Sequence, residues 1–253
     1  MTAVELSEFF KRHNKIALAF SGGADSAYLM YAAKKYGAHI KAYYVKSPFQ
    51  PQFELEDARR LAQELNVPLT VIESNPLNEE KIRKNDENRC YYCKNRIFSL
   101  IKQAAEEDGF SELMDGSNAS DSWADRPGMR ALAEMAVLSP LRECGIEKQR
   151  LRQLSKDAGL FTWNKPAYAC LATRIPQGME LDRQLLEKIE KGEEYLRTLG
   201  FSDLRLRVVQ GGFKLQLPQE QLSAAVEKRE DILRFFDEPG ENILLDLKSR
   251  KSN

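Results

Sequence analysis

The run Ser21-Gly22-Gly23-Ala24-Asp25-Ser26 constrains this chain more than any other feature, because of what stands on either side of it. It follows the apolar segment Ile16-Ala17-Leu18-Ala19-Phe20 and precedes residues 25–36, whose pattern is helical. A buried strand that turns through two glycines into a helix exposes successive backbone N–H groups at the positive end of that helix, which makes an anion site. Ser21 and Ser26 add hydroxyl donors. Asp25 would repel a bare phosphate, so a carboxylate in this place calls for a Mg2+ ion bridging it to a pyrophosphate. No Gly-Lys-Ser/Thr follows the glycines and no G-x-G-x-x-G spacing is present, which excludes the Walker and dinucleotide loops.

Around this loop, apolar runs alternate with helix-like segments. Strands are predicted at 16–20, 40–45, 68–73 and 111–115, and helices at 25–36, about 53–65 and about 93–107. A further helix starts near Pro127, and another runs from Ile146 through Ala158 to a stop at Gly159. That order argues for an α/β fold, a parallel sheet with helices on its faces, over residues 1–165. Beyond the segment FTWNKPAYACLATRIPQG the order becomes helix (about 182–199), hairpin, helix (about 219–236) and strand (242–247), a smaller α+β domain over 166–253. Gln210-Gly211-Gly212 supplies the positive φ values that the hairpin needs.

In 253 residues, 38 Lys and Arg balance 38 Asp and Glu, so there is no global basic field and nucleic acid is not an expected partner. No apolar stretch approaches the ~20 residues of a membrane-spanning helix, and charges interrupt any signal-like run in MTAVELSEFFKRHNK. The expected location is the cytoplasm. There, four cysteines are read as metal ligands or reactive thiols rather than bridges.

Cys90 and Cys93 form a CxxC in NRCYYCKNR, and Cys170 lies in KPAYACLATRIP at the proposed domain junction. Three cysteines leave a tetrahedral zinc one ligand short, whereas a 4Fe-4S cluster on three cysteines keeps one iron open. A redox-active CxxC, or a zinc completed by Cys144, are the competing readings; otherwise Cys144 is a small thiol beside a helix start. Asp115–Asp121, at the end of a predicted parallel strand, reads as an Asx-rich turn or as a ligand loop. Arg205 and Arg207, on one strand face, suit a phosphate or simply solvent. Glu193 and Glu194 read as metal or substrate contacts or as the wet side of a helix, Trp123 as a stacking ring and Trp163 as packing.

Together, SGGADS, RCYYCK, DGSNASDSWADRPGMRALAEMAVLSPLRE and WNKPAYACLATRIPQG resemble the LarE family of ATP-dependent sulfur transferases over about residues 14–210. The resemblance implies a PP-loop ATP pyrophosphatase fold of the HUP-like Rossmann type, an α/β parallel five-stranded sheet with helices on both faces, and an enzyme that uses ATP and Mg2+. In that family a carboxylate of a pyridinium biscarboxylate mononucleotide is adenylated and converted to a thiocarboxylate, in nickel-pincer cofactor biosynthesis. One subtype sacrifices a cysteine sulfur; another carries a transferable sulfide on the open iron of a 4Fe-4S cluster. This chain resembles the second, since Cys90 and Cys93 stand in the positions of the cluster CxxC, and the sacrificial type keeps only the counterpart of Cys170.

The same resemblance assigns Ser21, Gly22, Gly23, Asp25 and Ser26 to the ATP pyrophosphate, and Asp115, Gly116, Asn118 and Asp121 to the loop after the fourth strand. Arg126 falls in its RPG turn. Cys90, Cys93 and Cys170 hold the cluster, and Cys170, Asp25, Arg205 and Arg207 take part in the chemistry, the two arginines at the substrate phosphate. The family's His-Gly-Asp type hairpin is replaced by VVQGGFK, which bears on substrate identity. A homo-oligomer is implied, and the sulfur donor is not specified. Alternatives are a tRNA thiolase of the PP-loop class, a sacrificial-cysteine transferase using Cys170, and a non-catalytic nucleotide or cluster sensor.

Overall fold

The computed structural model of the chain describes residues 5–121, 127–236 and 242–250. It consists of two compact units, one of residues 1–76 and 88–165, the other of residues 77–87 and 166–253. The chain therefore passes between them at 165/166 and also on either side of 77–87, a segment that the sequence reading placed within 1–165. Among the described residues no helix is long and apolar enough to cross a membrane.

In chain order, the first unit opens with α1 (Leu6–Arg12), β1 (Lys15–Ala19), α2 (Ala24–Lys35), β2 (His39–Lys46), α3 (Gln52–Glu64) and β3 (Leu69–Glu73). The short α4 (Glu80–Arg83) belongs to the second unit, after which the first resumes with α5 (Arg89–Glu107), β4 (Leu113–Met114), α6 (Pro127–Glu134), α7 (Pro140–Glu143) and α8 (Lys148–Asp157). The strands form a wholly parallel sheet in the order β3-β2-β1-β4, with Leu18 of β1 beside Ala42 of β2 and Met114 of β4.

Five strands are expected and four are found among the described residues. The fifth position is taken by a single residue, Leu138, which makes a parallel bridge to Met114. Its N–H donates to Leu113 O and its carbonyl accepts from Asp115 N, both at 2.9 Å. Pro140 at the start of α7 ends any extension, because its φ suits a helix and it has no N–H to offer a ladder.

The sheet is buried on both faces, which is why its strands read as unbroken apolar runs. Ile16, Leu18, Ile40, Ala42 and Tyr44 point to one core, with residues of α1, α2, α3 and α8. Ala17, Tyr43 and Val45 point to the other, with Phe98, Ile101 and Ala105 of α5 and Leu132 of α6. This alternation is the two-residue period of a strand, and it fixes the register against both helix layers. α8 stops where expected, at Gly159, whose φ of +69° is the left-handed conformation that closes a helix.

The second unit continues through a 3-10 turn (171–174), α9 (Arg183–Thr198), β5 (Arg205–Val209), β6 (Gly212–Gln216), α10 (Leu222–Glu227), α11 (Arg229–Phe235) and β7 (Asn242–Leu245). Its sheet runs β5-β6-β7, antiparallel then parallel. Asp182 caps α9, its carboxylate accepting from Leu185 N at 2.8 Å. The helix predicted over 219–236 is instead a 3-10 turn followed by two short helices, parted at Lys228 (φ −92°, ψ 17°), whose ammonium donates to Leu199 O. The inserted 77–87 segment is bound into this unit: Leu181 N donates to Arg83 O, and Asn85 Nδ2 to Pro176 O and Met179 O, while Ile82 is fully buried.

Candidate functional site

β1 and β4 are neighbours whose following connections lead to opposite sides of the sheet, the place where parallel sheets bind ligands at their carboxyl ends. The loop 20–23 leaves β1 there, and the loop 115–121 leaves β4 beside it. Gly22 has a φ of +73°, and a Cβ on it would lie 3.0 Å from Glu54 O, so both conformation and space require glycine. Gly23 is the N-cap of α2 in extended conformation, with no side chain capping the helix. The first-turn N–H groups of a twelve-residue helix are therefore left to an outside acceptor. Ser21 Oγ and Ser26 Oγ lie 3.0 Å apart, Ser26 Oγ donates to Gly23 O at 3.2 Å, and Gly23 N donates to Ser21 Oγ at 3.4 Å. This cradle fits a polyphosphate.

Asp25 stands in the first turn of α2, and its carboxylate is shared. Oδ1 accepts from Lys148 Nζ at 2.5 Å and Oδ2 from Asn118 Nδ2 at 3.0 Å. A single carboxylate with phosphate oxygens and waters is the usual protein contribution to Mg2+, so the donor set suits that ion. Lys148, at the start of α8, is a functional candidate that the sequence reading missed. So is Lys165, 13% exposed, which donates to Gly22 O at 3.2 Å and to Asp57 Oδ2 on α3 at 2.7 Å and so steadies the loop from behind.

The loop after β4 is stitched to itself. Asp115, buried, accepts from Ser139 Oγ (2.7 Å), Ser117 Oγ (2.5 Å) and Ser117 N (3.2 Å), so its carboxylate anchors the loop. Asp121 Oδ2 accepts from Asn118 N at 3.0 Å, Asn118 Oδ1 accepts from Ser120 N at 2.8 Å, and Arg142 donates to Asn118 O and Asp121 O. Gly116 is held against α2: a Cβ there would come within 2.8 Å of Ser26 N. From this loop Asn118 reaches the α2 carboxylate; Arg126 and Trp123 lie outside the described residues.

The helix expected from residue 93 begins at Arg89, because Asn88 O already accepts from Tyr91 N and Tyr92 N. The CxxC is consequently helical, and its two thiols, three residues apart, share one face of the first turn of α5. Cys90 is exposed, Cys93 half-buried, and Arg89 Nη2 donates to Cys90 Sγ at 3.4 Å. Two neighbouring thiols are the right donor chemistry for part of an iron–sulfur or zinc site. Cys170, half-buried, heads the 3-10 turn of the second unit. Among the described residues no three His, Cys, Asp or Glu side chains form a preformed metal set. Cys144 is packed in the first core, where burial pushes its thiol up to about 11.

In the second unit, Glu193 is fully buried on α9, while its neighbour Glu194 is exposed. It accepts from Arg174 (Nε at 2.7 Å, Nη2 at 3.2 Å), Tyr168 Oη (2.5 Å) and Leu206 N (2.9 Å). Burial alone would neutralise it, but Arg174 and these hydrogen bonds outweigh that and hold the carboxyl below the usual range. Removing one partner of such a buried pair costs about 3–5 kcal/mol. Arg205 is 4% exposed; burial, then the neighbouring charges of Arg174 and Arg250, lower its pKa to about 10. Arg207 is half-buried and donates to Gln216 Oε1 at 2.6 Å.

Residues 15–123 match the family model described as Queuosine biosynthesis protein QueC. Uncharacterized protein slr1717 of Synechocystis sp. is 34% identical, over 88% of this chain and 83% of that one. Uncharacterized protein MJ0830 of Methanocaldococcus jannaschii is 30% identical, over 93% and 89%. The pyridinium-3,5-bisthiocarboxylic acid mononucleotide synthase of Lactiplantibacillus plantarum is 29% identical, over 82% and 76%. With a glycine loop built for a polyphosphate between β1 and α2, and likeness to these proteins along most of its length, the chain belongs to the LarE family of PP-loop, ATP-dependent sulfur transferases.

Proposed function

We propose that this enzyme adenylates a carboxylate of a pyridinium biscarboxylate mononucleotide and replaces its oxygen with sulfur, in a cytoplasmic pathway of nickel-pincer cofactor synthesis. The observation that carries the reading is the uncapped N-terminus of α2 with Asp25 held between Lys148 and Asn118. The likeness to the Lactiplantibacillus synthase supports the substrate class. ATP would lay its β and γ phosphates on the N–H groups of α2, beside Ser21 and Ser26. Asp25 would hold Mg2+, which would offset the phosphate charge, and Lys148, bonded to the same carboxylate, would do so for the departing pyrophosphate. The substrate carboxylate attacks the α-phosphorus, the bond to the β-phosphate oxygen breaks, and an acyl adenylate forms. Sulfur then attacks the activated carbonyl and AMP leaves with the oxygen.

Cys90, Cys93 and Cys170 would hold a 4Fe-4S cluster, which would supply the transferable sulfide. The protein's part is positioning and charge neutralisation. Anaerobic iron and sulfide analysis with EPR, on the wild type and on Cys90→Ala, Cys93→Ala, Cys170→Ala and Cys144→Ala, tests the cluster. About four irons per chain in the wild type and Cys144→Ala, and loss in the other three, is expected. No iron in any preparation refutes it and directs attention to loss of sulfur from Cys170. Pyrophosphate release that depends on the mononucleotide tests the substrate; salt-sensitive binding of bulk tRNA without such release refutes it.

A further inference from the structure

The segment around Cys170 is held by side chains to an unusual degree. Arg205 Nη2 donates to Ala167 O at 2.5 Å, Arg174 Nη1 to Ala169 O at 3.0 Å, and Arg207 Nη1 to Thr173 O at 2.9 Å. Thr173 Oγ1 donates to Cys170 O at 2.8 Å, and Arg174 Nη1 to that same hydroxyl at 2.9 Å. Three guanidiniums thus grip a stretch of seven residues with the cysteine at its centre. Two of them also lie against the ring of Tyr168, at 4.6 Å for Arg174 and 4.8 Å for Arg205. Arg174 is in turn fixed by the buried Glu193, and Arg207 by Gln216 on β6.

Carbonyls in a short surface turn ordinarily take water or backbone partners. A guanidinium is a rigid planar donor, and a buried one has little freedom left. Arg205 is also poorly placed to serve a ligand. Besides Ala167 O it donates to Leu204 O at 2.7 Å, and Asp203 Oδ1 lies 3.6 Å away.

We propose that Arg174, Arg205 and Arg207 are positioning residues for the Cys170 thiol, a clamp from β5 and from the end of the 3-10 turn, braced by Glu193 of α9, that fixes residues 167–173 before substrate or cluster arrives. The functional use of this clamp rests on the reading of Cys170 as a working thiolate; the clamp itself is a property of the protein alone. It changes the meaning of Arg205 and Arg207, which the family resemblance places at the substrate phosphate. Arg205 holds the segment, and Arg207 holds it whatever else it touches.

The test is iodoacetamide pulse labelling of the full-length, reduced, metal-free protein, resolved by peptide mass spectrometry, for the wild type, Arg207→Gln, Arg207→Lys and Arg205→Gln. Arg207→Gln should label Cys170 about tenfold faster, the effect of freeing one charge-assisted hydrogen bond, with Arg207→Lys between it and the wild type. Removing a cation would by itself slow a thiolate reaction, so an increase reports segment freedom and not electrostatics. Buried Cys144 and the amide protection of β6 should stay at wild-type values in Arg207→Gln. Unchanged Cys170 labelling, or an increase only in step with Cys144 or with loss of β6 protection, overturns the clamp. In turnover, Arg207→Gln should lower kcat with KM for the mononucleotide unchanged; a raised KM with unchanged kcat overturns it for Arg207. Absence of iron or of turnover in the wild type would defeat the proposed function and leave the labelling difference standing.

Discussion

Alanine at Gly116 and alanine at Gly23 should fail in opposite ways. Gly116 does not have a positive φ, so alanine is conformationally allowed there and only space opposes it. Its Cβ would fall 2.8 Å from Ser26 N, 3.0 Å from Ser26 Cα and 3.1 Å from Ser26 Cβ, against the 3.4 Å at which ordinary contact begins. All three atoms belong to the first turn of α2 or its side chain, so the helix end must move. Forcing a methyl into such a place costs about 1–3 kcal/mol. The stiffer unfolded chain returns about 0.4–1 kcal/mol. A net loss of about 1–2 kcal/mol lowers Tm by about 2–8 °C in a domain of this size. Displacing Ser26 N also moves a phosphate donor, and pyrophosphate release should fall by about 10–100-fold. At Gly23 the only atom near a Cβ is Ser21 Oγ, at 3.4 Å, and the backbone is extended. Gly23→Ala should keep the wild-type Tm, yet lose activity because its methyl stands where phosphate oxygens approach the helix. Scanning fluorimetry and a coupled pyrophosphate assay measure both. Gly116→Ala with wild-type Tm and activity, or Gly23→Ala with wild-type activity, would refute this account of the loop.

Lys148→Met should change stability by less than ~1 kcal/mol, because its ion pair with Asp25 is partly exposed, but should reduce ATP-dependent pyrophosphate release at least ~10-fold. Full activity in that variant would remove Lys148 from the site. Glu193 has a lowered pKa in the folded chain, so its stabilising effect is complete above the unfolded value near ~4.3 and is lost as pH falls through the folded value. Denaturation of the wild type with hydrogen exchange read in β5 and β6 should show the second unit weakening below about pH 4.5, whereas Glu193→Gln is weaker at pH 7 and flatter in that range. A wild type that shows no such slope would contradict the ion-pair assignment. At pH 8, buried Cys144 should react with iodoacetamide about 100-fold more slowly than an unburied thiol, since its pKa near 11 leaves little thiolate; labelling at the rate of exposed Cys90 would be inconsistent with its burial.

What was legible in the sequence was local or periodic. The nucleotide loop is a strand, a glycine turn and a helix in one continuous stretch, and the parallel sheet follows from the alternation of apolar runs with helices. Lys148 and Lys165 were not legible, because their partners Asp25 and Asp57 are 123 and 108 residues away and nothing local marks the pairing. Glu193 and Glu194 are indistinguishable as letters on an amphipathic helix, yet one is buried in an arginine and tyrosine cage and the other faces water. The start of α5 at Arg89 was missed although Asn88, a cap-forming residue type, stands before it, where its backbone is already helical and its side chain makes no cap hydrogen bond; the break at Lys228 was missed because no glycine or proline stands there. No apolar run in the sequence marks a fifth strand, and among the described residues Leu138 alone bridges to β4 before Pro140 starts a helix.

The insertion of residues 77–87 into the sequence of the first unit has a consequence for biosynthesis. Asn85 leaves the ribosome 91 residues ahead of Pro176, the carbonyl to which its side chain bonds. At translation rates of about 5–20 residues per second, that is a wait of about 5–18 s. During that time Asn85 cannot make that bond, and the segment carrying Ile82, buried in the finished molecule, waits for the rest of its unit. Completion of the 77–87 segment is therefore a late event in the life of the nascent chain, and C-terminal truncations that remove Pro176 and Met179 should release it even though they remove nothing from the nucleotide-binding sheet.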